Sequence, residues 1–110
     1  MRIGELIGSR IADSKVVEDY LQLWFDNGAC LSIYNEHEVT RPDGRAQDSN
    51  SLTGASLTQV REQKTEIRLI FSNGLRLSID MSEEGYSGPE AIQLTRANMP
   101  PVVWRLDDYG

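Results

Sequence analysis

Few residues in this chain could carry chemistry. Histidine occurs once, at His37, between Glu36 and Glu38. A zinc-peptidase helix needs His-Glu-x-x-His, which puts two imidazoles on one face to hold the ion. Here the second imidazole is missing. Side chains alternate along an extended strand, so Glu36 and Glu38 share a face and His37 points the other way. Joint carboxylate–imidazole coordination is awkward at that spacing. His37 is then a solvated strand end, or part of a partner-binding rim with Glu36 and Glu38.

Cysteine also occurs once, at Cys30. A nucleophilic thiolate needs a nearby base or a helix N-terminus to lower its pKa, and no motif ties Cys30 to His37. A lone cysteine rules out an internal disulfide and a four-cysteine zinc site. There is no Gly-x-Ser-x-Gly elbow, no Gly-x-x-x-x-Gly-Lys phosphate loop, and no Gly-x-Gly-x-x-Gly after a strand. The nearest thing to paired carboxylates is Glu83-Glu84, just after Asp80. Acid–base pairs can be assembled from distant strands, which keeps a hydrolase as a third reading. No catalytic residue, metal ligand or cofactor is expected.

The acids are more informative by position. The formal net charge is −6 and the pI about 4.7. Nucleic-acid binding leaves a basic footprint, whereas here Arg and Lys are scattered. From Asp80 onward there are six acids (Asp80, Glu83, Glu84, Glu90, Asp107, Asp108) against two bases, Arg96 and Arg105. Tyr86, Trp104 and Tyr109 lie near these acids, and aromatics beside charge suit interface hot spots. Trp104, on an alternating strand, is assigned to the core instead. The expected partner-binding set is Glu36, Glu38, Asp80, Glu83, Glu84, Tyr86, Asp107 and Asp108. Its chemistry is the docking of a basic protein, because charge complementarity speeds association and selects the partner.

The elements that position these residues follow from a repeat. Residues 20–34 (YLQLWFDNGACLSIY) match residues 66–80 (EIRLIFSNGLRLSID) at an offset of 46 without a gap. Leu23/Leu69, Phe25/Phe71, Asn27/Asn73, Gly28/Gly74, Leu31/Leu77, Ser32/Ser78 and Ile33/Ile79 are identical. The match runs back through Leu6/Leu52 and Gly8/Gly54, with Ile11 opposite Leu57. Glu36 and Glu38 follow the first copy as Ser82 and Glu84 follow the second. Two copies are too few for a solenoid, so the pattern predicts a duplicated unit closed into one domain.

Asn-Gly between alternating apolar runs predicts a hairpin in each copy. A two-residue loop would split the apolar residues between two faces. A three-residue loop, Asp26-Asn27-Gly28, sets Leu23 opposite Leu31 and Leu21 opposite Ile33. Ser72-Asn73-Gly74 does the same for Leu69/Leu77 and Ile67/Ile79. A slip by one residue would expose the whole apolar set. A further strand is expected upstream of each hairpin, near Leu6–Asp13 and Leu52–Gln59, kinked at Gly8 and Gly54. Local propensity offers a short helix over Leu57–Lys64 instead.

Residues 40–51 (TRPDGRAQDSNS) form a polar loop between the copies, expected to be mobile rather than functional. After the second copy, residues 90–96 and 102–106 read as strands. The fold class is all-β, with one short helix as an option: a duplicated three-stranded meander plus C-terminal strands, about eight strands in all. A curved sheet, a roll or a partly closed barrel would satisfy it. The 110 residues make one domain. The absence of a visible signal peptide or bilayer-length apolar run predicts a cytoplasmic protein with no membrane partner.

The pattern Leu6-x-Gly8 … Leu23-x-Phe25-x-Asn27-Gly28-x-x-Leu31-x-Ile33, repeated over 52–79, resembles small uncharacterised bacterial β-repeat proteins, some encoded among polymorphic toxin systems. In size, acidity and lack of catalytic motifs the chain is similar to immunity proteins of contact-dependent growth inhibition systems. That likeness implies a non-enzymatic cytoplasmic protein that neutralises a cognate nuclease toxin. The alternative is a self-associating structural or accessory protein whose second sheet face, with Trp24 and Ile70 exposed, pairs with another copy. The chain is accordingly expected to be a monomer or a homodimer.

Overall fold

The computed structural model describes residues 3–105, and it is all-β. Nine strands run in chain order: β1 (Ile11–Val17), β2 (Tyr20–Phe25), β3 (Cys30–Ile33), β4 (His37–Thr40), β5 (Leu57–Glu62), β6 (Glu66–Phe71), β7 (Arg76–Asp80), β8 (Glu90–Arg96) and β9 (Met99–Arg105). The helical residues lie in three short 3-10 turns, at Ile3–Leu6, Ser49–Leu52 and Glu83–Gly85. Residues 57–64 hold no helix; β5 occupies most of them. Asp107, Asp108 and Tyr109 lie outside the described residues.

Both hairpins take the register that the apolar pattern selects. Leu21 faces Ile33 and Leu23 faces Leu31. In the second copy Ile67 faces Ile79 and Leu69 faces Leu77. Each loop has three residues and ends on a left-handed glycine, Gly28 at φ 86° and Gly74 at φ 85°. The asparagine side chain closes the turn: Asn27 Oδ1 accepts from Ala29 N at 3.0 Å, and Asn73 Oδ1 accepts from Leu75 N at 3.1 Å.

The upstream segments differ from the expectation of strands over 6–13 and 52–59. Leu6 and Leu52 end 3-10 turns, and the strands begin at Ile11 and Leu57. The physical reason is the pair of glycines. Gly8 (φ 95°) and Gly54 (φ 92°) turn the chain sharply, so the leucine before each bend and the residue three after it both reach the interior. Bulges follow, between Ile11 and Asp13 and between Leu57 and Gln59.

These bends hold the two copies together. Arg10 and Ser56, equivalent under the offset of 46, bridge each other. Around them the bonds come in matched pairs. Gly8 N donates to Leu57 O and Gly54 N to Ile11 O, both at 2.8 Å. Ile11 N donates to Ala55 O at 2.8 Å, and Leu57 N to Ser9 O at 3.0 Å. The chain therefore has a pseudo-two-fold axis through this bridge. The turn of each copy packs on the first strand of the other.

The strands after each copy are exchanged across the axis. β4, which follows the first copy, pairs with β7 of the second; β8, which follows the second, pairs with β3 of the first. The result is two antiparallel sheets, ordered β1-β2-β3-β8-β9 and β4-β7-β6-β5. They are not closed into a barrel. The polar segment after β4 is tied down rather than loose. Thr40 bridges Ala46, and Gln47 N donates to Val39 O at 2.8 Å, a short counterpart of β9 beside β8.

The inner faces are duplicates. Leu21, Leu23, Phe25, Leu31 and Ile33 line one sheet, and Ile67, Leu69, Phe71, Leu77 and Ile79 line the other, none more than 3% exposed. Trp104 joins this core at 8%. Shortening any of the buried leucines to alanine removes about 2–5 kcal/mol by transfer and cavity effects together.

The glycine bends yield a test. Gly8→Ala and Gly54→Ala each force an L residue into a left-handed backbone, at about 1–2 kcal/mol. Open space surrounds both positions, so the loss comes from the backbone alone. Urea unfolding should show two similar, additive losses.

Candidate functional site

The strand exchange brings together acids that lie far apart in sequence. Beyond Ile33 the chain crosses from one sheet to the other through Tyr34, Asn35 and Glu36. Glu36 N donates to Gly85 O at 2.8 Å, and Asp80 N donates to Glu36 O at 2.9 Å. Glu36 is thereby pinned between the exit of β7 and the 3-10 turn after it. Asn35 is 1% exposed, and its Nδ2 donates to Asp80 O at 2.7 Å. It also meets Met81, its own repeat equivalent, at 3.8 Å. The pseudo-axis thus has a second anchor beneath the acids.

Two open hollows flank this crossing. The larger, about 630 Å³, lies over the outer face of the second sheet. Glu36, His37, Glu38 and Asp80 line it, with Glu66, Thr65, Ser78, Ile79 and Ser82. The smaller, about 360 Å³, shares Glu36 and His37 and adds Asp19, Tyr34, Glu84 and Tyr86. Six carboxylates therefore surround one crossing, and no lysine or arginine lines either hollow.

The carboxylates differ in what holds them. Asp80 Oδ1 accepts from Ser82 N at 2.9 Å and Ser82 Oγ at 2.6 Å, an Asx turn that fixes its direction. Glu66 takes both Nε and Nη2 of Arg68, at 3.1 and 3.0 Å. Glu36 and Glu38 have no side-chain ion pair or hydrogen bond among the described residues. They are the acids open to an incoming cation. His37 Nδ1 lies 2.9 Å from Asn35 O. A carbonyl only accepts, so Nδ1 carries a proton. Among the described residues no group of three or more His, Cys, Asp and Glu is placed to hold a metal ion.

Of the expected set, the structure gathers Glu36, Glu38, Asp80, Glu84 and Tyr86. Glu83 is exposed on the 3-10 turn and lines neither hollow. The two acidic exits sit at one place: Glu36 and its equivalent Ser82 both line the larger hollow. Sequence reasoning missed Asp19, Asn35 and Glu66. Asp19 sits in the turn between β1 and β2, next to the left-handed Glu18 (φ 55°). Glu66 had a usable signal: alternation places it on the outer face beside Asp80, its register partner.

Cys30 stands apart from this site. It points to the outer face of the first sheet, between Trp24 and Thr95 on the flanking strands, and is 3% exposed. Burial raises its thiol pKa, against smaller opposing hydrogen bonds from Ser32 and Thr95. The fold favours the protonated thiol, so this contribution to stability is present below the unfolded pKa and fades as pH rises through the folded one. Iodoacetamide at about pH 8 should leave Cys30 unmodified in the native chain and alkylate it quickly in urea.

No helix among the described residues is long and apolar enough to cross a membrane. Compared with protein-family models, curated sequences and solved structures, the chain finds no match.

One position tests the geometry. A Cβ on Gly85 would fall 2.6 Å from both Cγ and the carbonyl oxygen of Asp80. Gly85→Ala should push Asp80 and the Glu36 strand apart and lower stability by about 1–3 kcal/mol, the range for overpacking. Chemical shifts should change around Glu36, Asp80 and Ser82, and not at the distant Asn27 turn.

Proposed function

We propose that this chain is a non-enzymatic binding protein whose joined acidic hollows receive a cationic protein surface. The observation that carries this reading is the six-carboxylate lining with no lysine or arginine in it. Glu36 and Glu38 supply unpaired charge. Tyr34 and Tyr86 supply contact area beside it. Exposed ion pairs contribute only about 0.2–1 kcal/mol each. The acids therefore act mainly on encounter rate and partner choice, while aromatic contact holds the complex.

The class of partner that fits is a basic toxin domain, with this chain as its immunity protein. Nuclease toxins are cationic because they grip phosphate backbones, and a rigid acidic hollow competes for that same surface.

The test uses the neighbouring reading frames of the source genome. One of them should be toxic when expressed alone and harmless when this chain is co-expressed. Glu36→Lys with Glu38→Lys should abolish protection and slow association by about tenfold or more, with the melting temperature little changed. Raising NaCl from about 50 to about 500 mM should weaken the wild-type complex. If no adjacent product is toxic, or if the double variant protects as well as the wild type, the proposal fails.

A further inference from the structure

We infer that the outer face of the first sheet is a self-association surface that pairs two copies of this chain about a two-fold axis. The internal repeat supplies its own control. Both copies have the same backbone and the same inner face, so their outer faces need only meet solvent. The second copy does so with charge: Glu66, Arg68, Arg76 and Asp80. At the equivalent positions the first copy carries Tyr20, Gln22, Cys30 and Tyr34. Trp24 stands where Ile70 stands and is 42% exposed. Gln93 and Thr95 on β8 and Val103 on β9 continue the neutral centre of the face, up to the Glu90–Arg105 pair at its rim.

The neutral face is also ordered. Tyr20 and Tyr34 rings lie 5.0 Å apart, and Tyr34 Oη donates to Gln93 Oε1 at 3.0 Å. Cys30 and Ser32 are buried beneath their neighbours. Side chains already fixed lose little entropy on docking. An exposed tryptophan beside tyrosines is the composition of a binding centre.

Charge names the occupant. The cationic partner proposed above is drawn to the acidic hollows, which lie mainly over the other sheet. A second copy, itself at −6, can approach only where like charges do not meet. On this face the charges sit at its two rims as pairs of opposite sign, Asp13 with Lys15 on β1 and Glu90 with Arg105 at the end of β8 and β9, each pair 3.7 Å apart. Such a pair is self-complementary under two-fold symmetry, where each residue meets its counterpart's neighbour. At about 4.8 Å per strand and about 3.3 Å per residue, the face spans about 20 by 20 Å. That is about half of the 800 Å² per partner in a standard interface, which makes the dimer a weak one.

Sedimentation equilibrium from about 10 to about 500 µM, at about 50 and about 500 mM NaCl, tests this. A monomer–dimer equilibrium should appear and tighten severalfold at the higher salt, as repulsion between two acidic chains is screened. This is opposite to the salt response of the acidic hollows, so the two proposals are told apart although Tyr34 borders both surfaces. Gln22→Arg gives the first copy the charge that the second already has, and should shift the equilibrium at least tenfold toward monomer. Trp24→Arg should do the same, and Ile70→Arg on the other sheet should change it less than twofold. Circular dichroism checks folding; if Trp24→Arg unfolds the chain, the half-buried Gln22→Arg decides alone. A monomer throughout both salts, or a dimer that survives Gln22→Arg, overturns the inference.

Discussion

Each copy of the repeat is a three-stranded ribbon with one apolar face, and such a ribbon is marginal by itself. The bond set around Arg10 and Ser56 lets both faces close. Gly8 and Gly54 each turn the chain so that its amide reaches the other copy's first strand, at 2.8 Å in both cases. Without those left-handed residues, Leu6 and Leu52 could not lie under the opposite sheet. β4 and β8 complete the closure by exchanging partners, so neither copy owns a finished sheet. Folding is therefore expected to be cooperative across both copies, since neither sheet is complete without a strand from the other half.

Much of this was legible in the residues. Asn27-Gly28 and Asn73-Gly74, with leucines at alternating positions, specified two hairpins and their register, because only a three-residue loop keeps Leu23 and Leu31 on one face. The repeat specified the pseudo-symmetry, and the glycines at 8 and 54 marked a break in the strand pattern. The exchange of β4 and β8 was not legible. His37–Thr40 and Glu90–Arg96 carry ordinary alternation, and nothing local says which edge each will join. That choice is tertiary: β3 and β7 each present an open edge, and the crossing through Asn35 is fixed by a buried amide bonded to Asp80 O.

The candidate site was half legible for the same reason. Glu36, Glu38, Asp80 and Glu84 stood out as acids at strand exits. Their convergence depended on the crossing, as did the inclusion of Asp19 and Glu66. The polar segment after β4 misled for a different reason. Pro42-Asp43-Gly44 is turn chemistry whether the flanking chain is loose or paired, and only the Thr40–Ala46 bridge shows that it forms a hairpin.

Duplication also explains why the surfaces can be compared so directly. Once two copies share a backbone and a core, equivalent outer positions face the same geometric demand, and their differences reflect something other than the fold. Gln22 against Arg68 and Tyr34 against Asp80 are such differences. The acidic hollows are the opposite case: they have no equivalent, because they sit at the seam where Glu36 and Glu38 of one half meet Glu66 and Asp80 of the other. A single copy could not build them. Asn35, set against Met81 across the same axis, breaks the symmetry at that seam. The polar member bonds to the Asp80 carbonyl, and the crossing it fixes determines which carboxylates face each other.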